Sequence, residues 1–302
     1  MTLALRGIFG PVTTPFDATG ELDRAGFEGN VAAHMREGAG GWLAGVVVTG
    51  STGEAPLLDE RERDSLVEWS RPLVTGDRRL IAGIGAESTR TTLERAKRVS
   101  DRGADAALVV APHYFGAAMS VDALRAHYQR LADESPIPLV LYNIPKYMHF
   151  RLDPALVREL ARHENIIGIK DSSGDRDLLA EYVGMQSDTF AVLTGSAQLL
   201  TEALKLGARG GVLAVSLFAP ALTRSVVDAA GKKTPAAEAL QGRLLPLAKV
   251  IVGEMGIPAV KAALDAVGLA GGMPRLPLLP LSREGREKVR QLLRDAELSV
   301  AA

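Results

Sequence analysis

The chain has no cysteine, which removes disulfide staples, thiolate nucleophiles and cysteine-ligated zinc or iron–sulfur centres from consideration. That absence fits a reducing compartment. Charge of either sign is barely in excess: 35 Lys and Arg against 36 Asp and Glu leave a formal net charge of −1. Neither nucleic acid nor an anionic membrane surface has an electrostatic footprint to bind. No apolar run approaches the length of a membrane span, and residues 1–6 do not lead into a signal-like apolar segment. The expectation is a cytoplasmic protein with no membrane partner. Low-complexity tracts are absent. Five histidines, His34, His113, His127, His149 and His163, show no metal-ligand spacing, and four of them read as solvated or helix-surface residues. No metal site is expected, because no carboxylate and histidine clusters of the kind divalent ions require are visible.

What is present is an ordinary core-forming composition, with 47% hydrophobic and 24% charged residues, and this excludes disorder. A length of 302 residues suits one barrel with an appendage as well as two domains. A strand–cap–helix–glycine unit recurs along the chain. Short apolar strands are expected at 7–14, 45–49, 80–84, 106–111, 138–143, 166–170, 190–194 and 210–215. Between them lie helix signals. Asp23 caps a helix with Phe27, Val31 and Met35 at helical spacing, and a glycine-rich passage at 38–41 ends it. A charged helix starts near Asp59, and Ser88 caps another that Gly103 stops. Val121, Leu124, Tyr128 and Leu131 line one face of the next, Asp153-Pro154 starts a further one, and another centres on 199–206. Strands apolar throughout and alternating with helices predict an α/β fold, a parallel (β/α)8 TIM barrel, over residues 1–220. Strand pattern alone does not settle the closure. Residues 221–302 read as a helical C-terminal extension packed on the barrel, interrupted at 256–258 and 271–274.

In such barrels the working residues stand at the C-terminal ends of strands. These ends carry Thr13, Thr14, Ser51, Thr52, Glu87, His113, Tyr114, Tyr142, Asn143, Lys170, Gly195, Ser196 and Ser216. Lys170 closes the apolar stretch Ile166-Ile167-Gly168-Ile169. An ammonium in an apolar setting finds a partner or is pushed toward the free amine, which is a nucleophile that condenses with ketones. Read alone, Lys170 more simply ends a strand and reaches solvent, as most lysines do. Tyr142 closes the preceding strand, where a phenol can shuttle protons or simply pack. Gly50-Ser51-Thr52-Gly53-Glu54 lacks the lysine of a phosphate loop. Its hydroxyls and backbone N–H groups suit a small carboxylate, with an ordinary turn as the alternative. Gly83-Ile84-Gly85-Ala86-Glu87-Ser88 is an incomplete dinucleotide fingerprint, so no nicotinamide cofactor is expected.

Three motifs, Gly50-Ser51-Thr52-Gly53-Glu54, Tyr142-Asn143-Ile144-Pro145 and Gly168-Ile169-Lys170-Asp171, together resemble in order and spacing the signatures of the dihydrodipicolinate synthase / N-acetylneuraminate lyase family. The resemblance runs from Gly7 to the C-terminal helices. It implies a barrel with a helical extension, assembled as a homo-oligomer (dimer or tetramer), and class I aldolase chemistry through a lysine imine with no cofactor. By the same resemblance, Lys170 is the imine-forming lysine and Tyr142 the acid–base tyrosine. Ser51 and Thr52 bind the 2-oxo acid carboxylate, with Thr52 also in the proton relay. Tyr114 is the relay tyrosine contributed across subunits. Gly53, Ser172, Gly195, Val212 and Tyr147 complete the expected substrate-binding set. The family's synthases carry an arginine just after the Tyr-Asn-Ile-Pro strand, whereas this chain has Lys146 and Tyr147. Pro11-Val12-Thr13-Thr14-Pro15-Phe16, Ser135-Pro136-Ile137-Pro138 and Thr194-Gly195-Ser196-Ala197 are similar to 4-hydroxy-2-oxoglutarate aldolases. The resemblance thus implies a 4-hydroxy-2-oxoglutarate aldolase-like lyase that cleaves or forms the C–C bond of a short 2-oxo acid, with pyruvate as one partner and an aldehyde as the other. Condensation of pyruvate with aspartate semialdehyde and a sugar-acid lyase or dehydratase are the alternatives.

Overall fold

The computed structural model describes residues 5–36 and 42–300, so the glycine-rich passage expected at 38–41 lies outside the described residues. Eight parallel strands, β1 (Gly7–Pro11), β2 (Gly45–Val48), β3 (Arg79–Gly83), β4 (Ala106–Val110), β5 (Leu139–Asn143), β6 (Ile166–Asp171), β7 (Ala191–Thr194) and β8 (Gly210–Val212), pair in chain order. β8 returns to β1 and closes the barrel. Every strand expected from sequence is there, six of them trimmed at an end, β3 shifted one residue earlier and β6 one residue longer than expected. The last is the shortest, because Val215 already begins a helical turn, Val215–Phe218.

Closure at that seam depends on backbone proximity. Gly210 pairs with Gly7, and a Cβ on Gly210 would stand 1.9 Å from the Gly7 carbonyl oxygen. No other residue type fits there without moving a strand. Elsewhere the strands are buried on both faces, β2, β5, β6 and β7 without exception. Their side chains fill the barrel interior on one face and pack under the helices on the other, which is why they read as continuous apolar runs rather than alternating ones.

The capping signals act as expected. The side chains of Asp23, Ser88 and Asp153 accept hydrogen bonds from the first-turn N–H groups of the helices Arg24–Met35, Thr89–Asp101 and Pro154–Leu160. Asp59 and Glu62 form a reciprocal capping box on Glu60–Ser70. Two expectations need correction. Val121 is 42% exposed, because it opens the helix Val121–Glu134 at the barrel's mouth, while Leu124, Tyr128 and Leu131 are buried. His34 and His127 are buried rather than solvated, facing inward on their helices. Desolvation holds both imidazoles down at about 4.

Beyond the barrel strands, the helix Pro220–Gly231 packs on both Leu200–Leu206 and Ala236–Pro246. It is followed by a π-helix, Leu247–Glu254, and by the helices Ile257–Ala266 and Arg283–Asp295. The segment between the last two returns to the barrel. Met273 makes an antiparallel bridge with Phe16, and the Asn30 amide exchanges two hydrogen bonds with the Ala270 backbone. Among the described residues no helix is long and apolar enough to cross a membrane.

Candidate active site

Tyr142 and Lys170 face one another because of a local irregularity. Leu139 pairs with Ile166, but Val140 pairs with Gly168, so the register between β5 and β6 shifts by one residue at Ile167. Past the shift, Tyr142 stands opposite Lys170 and Asn143 opposite Asp171. Without it, alternation would set Lys170 out of phase with Tyr142, since side chains change face at every residue. The consequence is a shared layer: the Lys170 Nζ lies 3.9 Å from the centroid of the Tyr142 ring. Lys170 is 6% exposed and Tyr142 4%. Among the described residues no carboxylate forms an ion pair with Lys170, so its one close electrostatic partner is an aromatic face.

The other phase of the same strand ends braces this pair. Asn143 Nδ2 donates to Asp171 Oδ1 at 2.7 Å, Asn143 Oδ1 accepts from Leu152 N at 2.9 Å, and Ser173 Oγ donates to Asp171 Oδ2 at 2.7 Å. Burial raises the Asp171 pKa against the lowering effect of the Asn143 and Ser173 hydrogen bonds. Gly195, at the end of β7, leaves room for the lysine stem. A Cβ there would stand 3.0 Å from Lys170 Cε and 1.8 Å from Ser172 Oγ. Lys170, Tyr142, Ser172 and Gly195 are therefore brought together. Val212 ends β8 with its side chain buried.

Ser51, Thr52 and Gly53 form one 3-10 turn after β2, closed by a bond from Glu54 N to Ser51 O at 3.1 Å. The Thr14 hydroxyl donates to Gly53 O at 2.8 Å. Ser51, Tyr142 and Tyr147 line one open cavity of about 920 Å³, with Lys146, His149 and Arg63 on its wall. Tyr147 is 41% exposed, and burial, then the nearby Tyr142 phenol, raises its pKa. Tyr114 does not line this cavity. It stands 79% exposed, stacked edge-on against Phe115 at 5.0 Å, on a loop whose His113 and Tyr114 N–H groups both donate to Glu87. Ser216 is buried and donates to Leu213 O at 2.7 Å, a local bond within its own turn.

Sequence reasoning passed over Arg63, Lys261 and Arg275. Arg63 is 6% exposed, donates to the carbonyls of Gly83 and Ala55, and is lowered to about 10 by desolvation, with Arg95 adding to it. Its phase on the helix, sharing a face with Leu66 and Val67, was the available signal. The glycines of the incomplete fingerprint have packing roles. A Cβ on Gly83 would stand 2.2 Å from Thr49 O, and one on Gly85 would stand 2.4 Å from Val110 Cγ1. Among the described residues no three His, Asp or Glu side chains gather where a metal ion could be held.

Lys170, Thr52, Gly53, Ser172, Gly195 and Val212 do not themselves line this cavity, but a buried amine beside a phenol that does, with the Ser51 hydroxyl on the same wall, has the parts for imine chemistry on a small ketone. Comparison with known proteins agrees. The model of the dihydrodipicolinate synthetase family matches residues 4–296. A 4-hydroxy-tetrahydrodipicolinate synthase of Methanothrix thermoacetophila is 36% identical over 291 residues, 95% of this chain and 96% of that protein. One of Archaeoglobus fulgidus is 33% identical over 293 residues, 97% and 98% of the two chains. Among solved structures, a chloride-inhibited dihydrodipicolinate synthase of Acinetobacter baumannii complexed with pyruvate superposes with a TM-score of 0.90 at 31% identity, covering 98% of this chain and all of that one (100%). The chain belongs to the dihydrodipicolinate synthetase family of pyruvate-dependent class I lyases that work through a lysine imine.

Proposed function

We propose that Lys170 forms an imine with pyruvate, or with a 2-oxo acid that yields pyruvate, and that the chain makes or breaks a carbon–carbon bond to a short aldehyde. The observation that carries this reading is the buried Lys170 amino group over the Tyr142 ring, 3.9 Å from its centroid, with no carboxylate paired to it among the described residues. In the cleavage direction the free amine attacks the substrate ketone, water leaves, and the iminium becomes an electron sink. Tyr142 takes the proton of the 4-hydroxyl, the C3–C4 electron pair flows toward the iminium nitrogen, and the aldehyde departs. The enamine is then protonated at C3, and hydrolysis releases pyruvate and restores the amine. Ser51 and Thr52 hold the 2-oxo acid carboxylate, with Thr52 relaying protons. Gly53, Ser172, Gly195 and Val212 shape the floor around the imine, and Tyr147 faces the aldehyde half. Tyr114 serves a neighbouring subunit of a homo-oligomer, a reading its exposure supports. One solved relative is described as a monomeric dihydrodipicolinate synthase variant, so assembly is a point to measure.

For the aldehyde half, the names of the curated relatives favour aspartate semialdehyde, making the chain a 4-hydroxy-tetrahydrodipicolinate synthase. One observation favours a second reading, release of glyoxylate from 4-hydroxy-2-oxoglutarate: Tyr147 lines the cavity where the synthases' arginine would bind the semialdehyde's carboxylate. Two assays decide. Borohydride reduction with pyruvate should leave a covalent adduct on Lys170, and failure to trap would remove the imine reading for this chain. Side-by-side rates for semialdehyde condensation and glyoxylate release then assign the aldehyde.

A further inference from the structure

We propose that Lys261 and Arg275, both from the C-terminal extension, act as positioning residues that set the Ser51–Thr52 turn for 2-oxo acid binding, Lys261 through the Glu54 carboxylate and the Arg275 guanidinium through the Leu57 carbonyl. Neither cation lines the cavity. Glu54 follows the turn directly and is held with φ at 55°, the left-handed region, which a non-glycine residue occupies only when its surroundings over-determine it. Here they do. Lys261 Nζ meets Glu54 Oε1 at 2.5 Å, with side-chain exposures of 1% and 0%. The same ammonium donates to Met273 O at 2.6 Å. Arg275 N donates to the second Glu54 oxygen at 2.9 Å. The Arg275 guanidinium donates to Leu57 O at 2.7 Å, to Gly20 O, and to both oxygens of Glu62. Phe16 carries both cations near its ring, Lys261 Nζ at 4.7 Å and Arg275 Cζ at 4.1 Å from the centroid.

These contacts fix the turn from three sides. Thr14 holds the Gly53 carbonyl, the Lys261 ammonium and the Arg275 backbone N–H hold the Glu54 carboxylate, and the Arg275 guanidinium holds the Leu57 carbonyl. Because Glu54 N closes the turn on Ser51 O, displacement of Glu54 is transmitted to the backbone of Ser51. A buried pair is a poor source of net stability, since desolvation offsets the attraction, but it strongly penalises any geometry that separates the charges. The device therefore acts on where the turn sits more than on whether the chain folds.

The inference rests on the carboxylate-binding role proposed for Ser51 and Thr52, and its test separates the two. Pyruvate is titrated against borohydride trapping in the full chain, with folding followed by circular dichroism and melting midpoint. Ser51→Ala tests the turn itself. The double variant Glu54→Gln/Lys261→Met removes both charges without leaving one unpaired, and Arg275→Lys removes the guanidinium fork while keeping the charge. A folded double variant should need about tenfold more pyruvate for half-maximal trapping, with the limiting trapping rate within about twofold of the parent. Arg275→Lys should need about threefold more. A merely structural role would shift the melting midpoint and leave half-saturation alone, and that result in a folded double variant overturns the proposal. Should the double variant not fold, parent-like half-saturation in Arg275→Lys overturns it equally. If Ser51→Ala also leaves half-saturation unchanged, the carboxylate-turn reading falls first and takes the proposal with it.

Discussion

Replacing Gly195 by alanine tests whether the space beside Lys170 is required by the reaction. The added methyl carbon would stand 1.8 Å from Ser172 Oγ and 3.0 Å from Lys170 Cε. The first contact is relieved if the serine hydroxyl rotates. The second cannot be relieved so simply, because Lys170 is held on β6 and confined by Tyr142 on the neighbouring strand. The lysine stem must give by a few tenths of an ångström, moving the nitrogen relative to the Tyr142 phenol. Overpacking of this kind costs about 1–3 kcal/mol of stability, while a misplacement approaching 1 Å in an active site costs on the order of a hundredfold in rate. The expectation for Gly195→Ala is a folded protein with a modestly lowered denaturation midpoint and a rate of pyruvate-dependent borohydride trapping reduced about ten- to a hundredfold. Gly195→Ala/Ser172→Ala removes the hydroxyl clash and should recover stability without recovering the trapping rate. Parent-like trapping in the single variant would refute the reasoning, since it would show that Lys170 tolerates displacement at its Cε. Full recovery in the double variant would move the effect from the lysine to Ser172.

Tyr142→Phe keeps the ring beneath Lys170 and removes only the hydroxyl, so pyruvate should still be trapped at ordinary concentrations while steady-state turnover falls about a hundredfold or more; an unchanged turnover would strip Tyr142 of its proton-transfer role. His34 and His127, each lowered from 6.5 to about 4 by burial, bind protons more readily unfolded than folded. Their contribution is fully present above pH 6.5 and is lost as pH falls toward 4, on the order of 3 kcal/mol for each. Chemical denaturation between pH 7.5 and 4.5 should show this slope, and His127→Gln should flatten part of it; a parent-like slope in that variant would remove His127 from the account. Tyr147→Arg should raise semialdehyde condensation relative to glyoxylate release, read as the ratio of the two kcat/KM values, and a constant ratio would take Tyr147 out of specificity.

The eight strands were legible because parallel strands covered on both faces must be apolar throughout, and runs such as Gly45–Val48 and Leu139–Asn143 have few other uses. Helix starts were legible for a local reason: Asp23, Asp59, Ser88 and Asp153 satisfy N–H groups two or three residues away. The buried histidines were misread although their phase was legible: His34 shares a helix face with Phe27 and Val31, and His127 with Leu124 and Leu131. Glu54, Lys261 and Arg275 were invisible as a group, since more than two hundred residues separate Glu54 from the other two and sequence spacing carries no information at that range.

By itself the sequence determined the alternation of elements, the strand-end location of Lys170 and Tyr142, and the family motifs around them, all of which are written in short windows. The tertiary structure decided what those residues can do together. A one-residue register shift at Ile167 set the lysine and the tyrosine in one layer, the absence of a Cβ at Gly195 left room for the amine's stem, and the returning C-terminal segment fastened the turn that carries Ser51 and Thr52. Local pattern specifies which face a residue presents, whereas register, clearance and long-range ion pairing exist only once the chain has closed on itself.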